Sequence, residues 1–252
     1  MLSGNILVTG ADSGLGLEFV RQLSNVESIK RIFAGSVDLE KAEDLKKLSE
    51  QNHIIIPIEL NVGNDSCITK SRERVESEIG NEGLALLINC AGICNKRRLD
   101  SDDWLVGRVD RDAYLDHYNI NCVGTIMVTS AFLPLLRKTA DLGRAIVLNI
   151  SARCASSINA LKKQYPKEAK QDVIAYRLSK ASLNHFTRAL AYFENSIISI
   201  SMDPGWMNTN MGGPLAPFTA DDSAEKLLKV VCNLKLNDSG RFMDRDGNDL
   251  EL

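Results

Sequence analysis

Short apolar runs alternate with amphipathic segments along almost the whole chain. The runs have the length of buried strands, and the segments between them carry apolar residues at helical spacing. Strands that alternate with helices build a parallel sheet with right-handed crossovers and helices on both faces. The sequence therefore predicts an α/β fold with a doubly wound parallel sheet. The predicted strands are 6–9, 31–35, 54–60, 84–89, 145–150, 197–202 and 240–243, and the predicted helices are 15–23, 39–49, 67–79, 111–138, 176–195 and 224–233.

The chain length fits one such domain. The sequence has 252 residues, of which 44% are hydrophobic, enough to cover both faces of a sheet. No repeat, low-complexity tract or linker divides it. We therefore expect residues 1–252 to form a single Rossmann-type domain.

A glycine-rich turn follows the first predicted strand. The segment reads Thr9-Gly10-Ala11-Asp12-Ser13-Gly14-Leu15-Gly16 and leads into the first predicted helix. Glycines let the backbone approach a pyrophosphate closely, and the unpaired amides of a helix start favour its charge. Three residues separate the first two glycines, whereas the commoner dinucleotide fingerprint has one. The turn predicts a dinucleotide site.

Tyr176 and Lys180 lie four residues apart in a predicted helix. Residues at this spacing share a helix face, so the ammonium can favour the ionised phenol and make the tyrosine a usable proton donor. Taken alone, the pair is more typical of an ordinary exposed lysine beside a half-buried tyrosine. Together with the glycine turn, it indicates nicotinamide-dependent carbonyl or alcohol chemistry.

Three further motifs follow in order along the chain. Asn89-Cys90-Ala91-Gly92 ends the fourth predicted strand, Asn121 stands three residues before Gly124, and a segment runs from Asp203 to Thr209. With these motifs, the chain resembles the short-chain dehydrogenase/reductase family over nearly its whole length. The stretches 205–213 and 240–242 most resemble the sniffer-type carbonyl reductases of that family.

The resemblance implies a role for each matching residue. Tyr176 would be the acid, Lys180 would lower its pKa and bind the nicotinamide ribose, and Asn121 would hold a water on a proton path to Lys180. Asn89 and Gly92 would contact the adenosine ribose and the cofactor backbone, and Thr209 the carboxamide. The cofactor site so implied comprises Gly10, Asp12, Ser13, Gly14, Leu15, Gly16, Ser36, Val37, Asn61, Val62, Asn89, Ala91, Gly92, Tyr176, Lys180, Pro204, Gly205, Met207 and Thr209.

One position departs from the family pattern. The fifth predicted strand would normally close with two serines, the second of them catalytic, and that place is Ala152 here. Ser151 is the candidate substitute, although successive strand residues face opposite sides, so it serves only if the strand shifts or ends early. Ser156 or Ser157 could also reach in. Loss of one oxyanion donor costs about a hundredfold to a thousandfold in turnover, so weak activity is compatible with Ala152.

Cofactor preference is poorly marked. Ser36 stands where an NAD-preferring enzyme carries an acid, and Ser13 and Val37 occupy places where NADP-preferring relatives carry arginine. Without an acid to repel a phosphate, and with Lys41 nearby, we expect NADP(H). Asp38 could take the ribose after a local shift, so NAD stays open. Asn61 replaces the family's usual aspartate beside the adenine, which keeps a hydrogen-bonding group and removes its charge.

Charge and cysteine content argue against several other kinds of protein. The net charge is −3 and the basic residues are interspersed, so we expect no nucleic-acid partner. The six cysteines lack the paired spacing of a zinc site, so we expect no metal. We also expect no signal peptide, no membrane-spanning run and a cytoplasmic protein. The resemblance implies a homodimer or homotetramer packed through the helices 111–138 and 176–195.

Two functions remain open for the chain. The first is NADPH-dependent reduction of a small carbonyl substrate, such as an aldehyde, ketone, dicarbonyl or quinone, or the reverse oxidation of an alcohol. The alternative is a catalytically impaired nucleotide-binding protein that acts through a partner. Ala152 favours the alternative, whereas the retained Tyr176, Lys180 and Asn121 oppose it. Two insert-like stretches, 94–110 and 155–173, would border the substrate pocket or form surface loops.

Overall fold

Seven parallel strands pair in one sheet at the centre of the molecule. The computed structural model describes residues 2–94, 97–98, 110–141, 143–158, 171–172 and 174–252. The sheet strands are β1 (Gly4–Thr9), β2 (Ile29–Ser36), β3 (Ile55–Glu59), β4 (Leu84–Asn89), β6 (Ala145–Ile150), β8 (Ile197–Asp203) and β9 (Phe242–Asp244). Their order across the sheet is β3-β2-β1-β4-β6-β8-β9. Two short strands, β5 (Arg97–Arg98) and β7 (Gln171–Asp172), pair antiparallel outside it.

Helices cover both faces of the sheet. They are α1 (Gly14–Leu23), α2 (Glu43–Gln51), α3 (Asp65–Ile79), α4 (Arg111–Tyr118), α5 (Thr125–Ala140), α6 (Ile174–Phe193) and α7 (Ala220–Asn233). One apolar cluster joins the sheet to α1, α2 and α7. A second cluster joins the other face to α3, α5 and α6. The predicted doubly wound parallel sheet is confirmed.

Local side-chain bonds explain where the helices depart from their predicted bounds. Helix α2 begins at Glu43 rather than at 39, because Asp38 Oδ1 accepts the backbone N–H groups of Glu40 and Lys41 and closes a turn first. Helix α7 begins at Ala220 rather than at 224, because Thr219 caps it through the N–H of Asp222.

The predicted helix 111–138 is interrupted. A π-helical turn, Asn119–Gly124, joins α4 to α5. A side chain at Gly124 would approach the Val62 carbonyl oxygen to 2.6 Å, so glycine is required where this turn packs on the loop after β3. π-Helical turns inside α-helices are frequent at functional sites.

The helical stretch 111–140 is apolar enough to span a membrane. An 18-residue window within it has a mean hydropathy of 1.5, and half of that window is buried inside the fold. The expectation that no such segment exists is therefore wrong on length and composition. Val128, Phe132 and Leu135 of α5 pack in the second core cluster, which accounts for much of this apolarity.

A buried polar network crosses the middle of the sheet. Asn89 Nδ2 at the end of β4 donates to Asn149 Oδ1 of β6 at 2.8 Å and to Thr129 Oγ1 of α5 at 3.0 Å. Asn149 Nδ2 donates in turn to Thr187 Oγ1 of α6 at 2.9 Å. All four side chains are buried. The network fixes β4, β6, α5 and α6 relative to one another beneath the edge where the motifs meet.

Asn149→Ala tests this network. It leaves the Asn89 amide and the Thr187 hydroxyl without their shared partner and opens a cavity, so we expect a loss of about 3 kcal/mol in the free energy of unfolding. Urea denaturation followed by circular dichroism measures it. Asn195→Ala, at an exposed position, is the control and should stay within about 0.5 kcal/mol of wild type. Equal stability of the two variants would contradict the role given to the network.

Candidate active site

The glycine-rich turn forms a bare cradle between β1 and α1. Gly10 and Gly14 have φ values of +64° and +52°, which side chains rarely tolerate. A Cβ at Gly16 would overlap the Gly10 carbonyl oxygen, and one at Gly10 would come within 2.8 Å of Ala91 Cα. Glycine is therefore required for the close packing of this turn, which leads into the start of α1, where backbone amides and the helix dipole favour a phosphate.

Two distant segments dock onto this turn. Thr9 Oγ1 accepts the backbone N–H groups of Cys90 and Ala91, both at 3.0 Å. On the other side, a Cβ at Gly14 would lie 3.5 Å from Thr209 Cγ2. The loop after β4 and the segment after β8 therefore meet at the glycine turn. Our sequence prediction did not include Thr9 in the site, although its hydroxyl directly before Gly10 was the available signal.

The segment after β8 folds back on itself. Met207 pairs with Phe218 in an isolated bridge, and Trp206 Nε1 donates to the Gly212 carbonyl oxygen at 2.9 Å. Thr209 Oγ1 accepts the N–H of Gly212 at 3.1 Å. These bonds hold residues 204–213, which include Pro204 and Gly205, as a structured flap beside the glycine turn.

Lys180 is buried at the centre of the site. Its Nζ donates to the Ile150 carbonyl oxygen at 2.6 Å, and it lies 5.8 Å from the centroid of the Tyr176 ring. A Cβ at Gly92 would come within 3.6 Å of Nζ. Burial lowers the pKa of Lys180 to about 8, and the nearby thiols of Cys90, Cys94, Cys122 and Cys154 oppose that shift. The structure thus joins the Tyr176–Lys180 pair to the loop after β4.

Asn121 uses its side chain to hold other parts of the site. Oδ1 accepts the backbone N–H of Ile93 at 2.8 Å, while Nδ2 donates to the Ile93 carbonyl oxygen at 2.9 Å and to Ser179 Oγ at 3.0 Å. Thr125 Oγ1 donates a long hydrogen bond to the Asn121 backbone carbonyl oxygen at 3.4 Å. That Asn121 holds a water on a proton path stays a prediction.

Ser151, the candidate substitute for the missing serine, is buried. Its hydroxyl donates to Asn184 Oδ1 at 2.6 Å, and the side chain is 1% exposed. Asn184 lies two helical turns beyond Tyr176, so this bond points away from the turn that carries the tyrosine. A catalytic role for Ser151 stays a prediction. Ser156 is buried and Ser157 exposed, and a role for either stays a prediction.

An ion pair lies at the rim of the site, which is formed by residues 36–41 at and after the end of β2. Lys41 Nζ and Asp38 Oδ2 form an ion pair at 2.7 Å, and Lys41 holds the pKa of the Asp38 carboxyl below its ordinary value. Ser36 is buried and donates its hydroxyl proton to the Asp38 carbonyl oxygen at 3.2 Å, whereas the Val37 side chain is exposed. Any ligand here meets Lys41 together with its counterion.

The remaining predicted residues frame the site. Asn61 Oδ1 accepts the N–H of Gly63 at 2.9 Å and closes the turn after β3, and Val62 is buried beside it.

The glycine turn and the end of β4 hold the other predicted residues. Asp12 Oδ2 accepts the Ser13 hydroxyl at 3.3 Å, and Leu15 packs in the core. Asn89 is buried in the sheet network, and its Oδ1 meets no donor among the described residues. Most of the inserts 94–110 and 155–173 lies outside the described residues.

Comparison with known proteins agrees with this geometry. Residues 4–219 match the family model for short chain dehydrogenases. An NADPH-bound carbonyl reductase from chicken fatty liver superposes with a TM-score of 0.89 at 31% identity, and the carbonyl reductase Sniffer of D. melanogaster with 0.87 at 29%; each match covers all of both chains. A short-chain dehydrogenase of Penicillium roqueforti is 30% identical over 231 residues, 90% of this chain and 87% of the relative.

Lys180→Met tests the burial of the ammonium. In the folded chain the pKa of Lys180 is about 8, below its ordinary 10.5, so between these pH values the unfolded chain holds a proton that the folded chain has released. The free energy of unfolding of the wild type therefore rises with pH between these two values, as the folded chain no longer has to bury a charged lysine. We expect the variant to be about 2 kcal/mol more stable than wild type at pH 7, with the gain shrinking by pH 10.

Denaturant titrations from pH 7 to pH 10 measure this difference. Lys47→Met, which replaces an exposed lysine on α2, is the control and should show no such pH trend. A Lys180→Met variant that is less stable at pH 7, by an amount that does not change with pH, would contradict the account.

Proposed function

Because this chain belongs to the short-chain dehydrogenase family, we propose that it is an NADP(H)-dependent carbonyl reductase that uses Tyr176 as the acid. Its substrates would be small aldehydes, ketones, dicarbonyls or quinones, or the corresponding alcohols in the reverse direction. One observation carries the proposal: the buried Lys180 is close both to the Tyr176 ring and to Gly92, in the loop that packs on the glycine turn through Ala91.

The residues present suit a nicotinamide dinucleotide. Gly10, Gly14 and Gly16 let the turn pack closely on itself and its neighbours, and the backbone N–H groups at the start of α1 would bind the pyrophosphate. Gly92 lets the loop after β4 pack against Asn121 and Lys180. When bound, the nicotinamide would supply the hydride. Thr209 and Met207, in the flap after β8, would contact the nicotinamide end, and Val62, Ala91 and Asn61 the adenosine end.

The side chains would then manage the charge on the substrate oxygen. Hydride addition builds negative charge on a carbonyl oxygen, which needs a hydrogen-bond donor and a proton. Tyr176 would supply both, and the Lys180 ammonium at 5.8 Å from its ring favours the phenolate that remains. Since the pKa of Lys180 is about 8, the ammonium is largely charged at neutral pH.

Ala152 limits the rate that this site can reach. The second serine is absent, and Ser151 is committed to Asn184. Tyr176 would therefore be the only side-chain donor to the oxyanion from these two positions, which lowers turnover about a hundredfold to a thousandfold.

Ala152 also favours a second candidate function. In it the chain binds NADP(H), catalyses very little turnover and acts through a partner.

Steady-state oxidation of NADPH and NADH over a panel of aldehydes, ketones, dicarbonyls and quinones separates these functions. We expect slow NADPH-dependent turnover, at least a hundredfold lower in Tyr176→Phe and about tenfold or more higher in Ala152→Ser. Arg177→Lys, next to the tyrosine on α6, is a control that keeps both catalytic side chains. A silent wild type with an active Ala152→Ser variant would favour the nucleotide-binding function.

Cofactor preference follows from the rim at β2. The structure of the chicken carbonyl reductase contains NADPH. In the present chain Ser36 stands at the end of β2, where an acidic side chain would repel the 2′-phosphate. We propose that Lys41 contacts the 2′-phosphate and that Asp38 weakens this contact through the ion pair at 2.7 Å. We therefore propose NADP(H) as the preferred cofactor, and a preference for NAD is the other outcome of the test.

Charge changes at this rim test the preference. Lys41→Glu should raise the Kd for NADPH about tenfold and leave that for NADH within about twofold, whereas Asp38→Asn should lower the Kd for NADPH. Nucleotide fluorescence titration at low salt measures both. Lys47→Glu, an exposed charge reversal on α2, is the control. Equal effects of Lys41→Glu on NADPH and NADH would refute the contact.

The homodimer or homotetramer, the cytoplasmic location and the absence of nucleic-acid and membrane partners stay predictions.

A further inference from the structure

We propose that Ser179 is a positioning residue that ties the helical turn of Tyr176 to the π-helical turn of Asn121. The inference rests on the proposed function, because it concerns Tyr176 as the acid. It adds a residue whose hydroxyl our sequence prediction did not include in the site.

The Ser179 hydroxyl bridges two groups inside the protein. Its Oγ accepts a hydrogen bond from Asn121 Nδ2 at 3.0 Å and donates one to the Tyr176 carbonyl oxygen at 2.7 Å. Both Ser179 and Asn121 are 0% exposed. Water cannot replace the hydroxyl without a rearrangement, so its removal leaves the Asn121 amide short of an acceptor.

The tie acts where α6 is weakest. Tyr176 is the third residue of the helix, and the backbone N–H groups of a first helical turn have no partner within the helix. The bond between Lys180 Nζ and the Ile150 carbonyl oxygen fixes the next turn to β6. The bonds of Ser179 fix the Tyr176 turn itself to the opposite wall of the site.

That wall also borders the cofactor cradle. Asn121 holds the N–H and the carbonyl of Ile93, and a Cβ at the adjacent Gly92 would lie 3.1 Å from Asn121 Oδ1. A continuous set of hydrogen bonds therefore runs from Ile93 through Asn121 and Ser179 to Tyr176. It sets the distance between the acid and the loop that lines the cofactor side.

Loss of this tie should affect chemistry more than cofactor binding. A misplacement of about 1 Å in a reacting group can cost about a hundredfold in rate. The phosphate cradle is built by Gly10, Gly14 and Gly16, which Ser179 does not touch. A role confined to general stability would instead lower kcat and NADPH affinity together.

The experiment compares Ser179→Ala, Ser179→Thr and the matched control Ser182→Ala, three positions further along α6. We expect Ser179→Ala to lower kcat at least tenfold with the Kd for NADPH within twofold of wild type. Ser179→Thr keeps the hydroxyl and should recover most of the loss, and Ser182→Ala should match wild type. A wild-type kcat in Ser179→Ala, or a Thr variant as slow as the Ala variant, would overturn the inference.

Hydrogen–deuterium exchange supplies a readout that does not depend on turnover. We expect faster exchange in Ser179→Ala for peptides covering 174–180, with unchanged exchange around Gly10 to Gly16. Unchanged exchange at 174–180 would overturn the tie whatever the substrate. If wild type turns over no carbonyl while the exchange still changes, the proposed function fails and the tie stands.

Discussion

The hydrogen bond from Lys180 Nζ to the Ile150 carbonyl oxygen is the contact on which the site depends. It places a cation inside the fold at the end of β6, a position that burial makes unfavourable and that a single neutral acceptor only partly offsets. The buried asparagine and threonine network joins β4, β6, α5 and α6, and so connects the strand of Ile150 to the helix of Lys180.

Around this lysine, the site is assembled from chain segments that are far apart in sequence. Thr9 fastens the loop after β4 to the glycine turn, Thr209 contacts that turn from the flap, and Asn121 joins the loop to α6 through Ser179. Ala152 leaves this assembly without the hydroxyl of a second serine, and the adjacent Ser151 bonds to Asn184. The fold therefore keeps a complete framework around an incomplete set of donors.

The fold and the site were predictable to different extents. The alternation of apolar runs and amphipathic segments was enough for the sheet, since a buried parallel strand leaves a strong local signal. The start of α2 was missed because an Asp38 turn competes with the helix. Ser179 was missed because its hydroxyl joins the Asn121 side chain to the Tyr176 carbonyl oxygen, a contact between distant segments that has no spacing signature. The bond from Ser151 to Asn184 depends on where Asn184 falls on another element, which no local pattern specifies.

The most direct test of the central claim is deuterium transfer. Purified protein is incubated with NADPH deuterated at both C4 positions and an aromatic dicarbonyl, and the alcohol is analysed by mass spectrometry. The account predicts one deuterium on the former carbonyl carbon, and at least a hundredfold less labelled alcohol in the same time when Tyr176→Phe replaces wild type. An unlabelled product, or no product while NADPH binds, would contradict the claim that this framework performs hydride transfer.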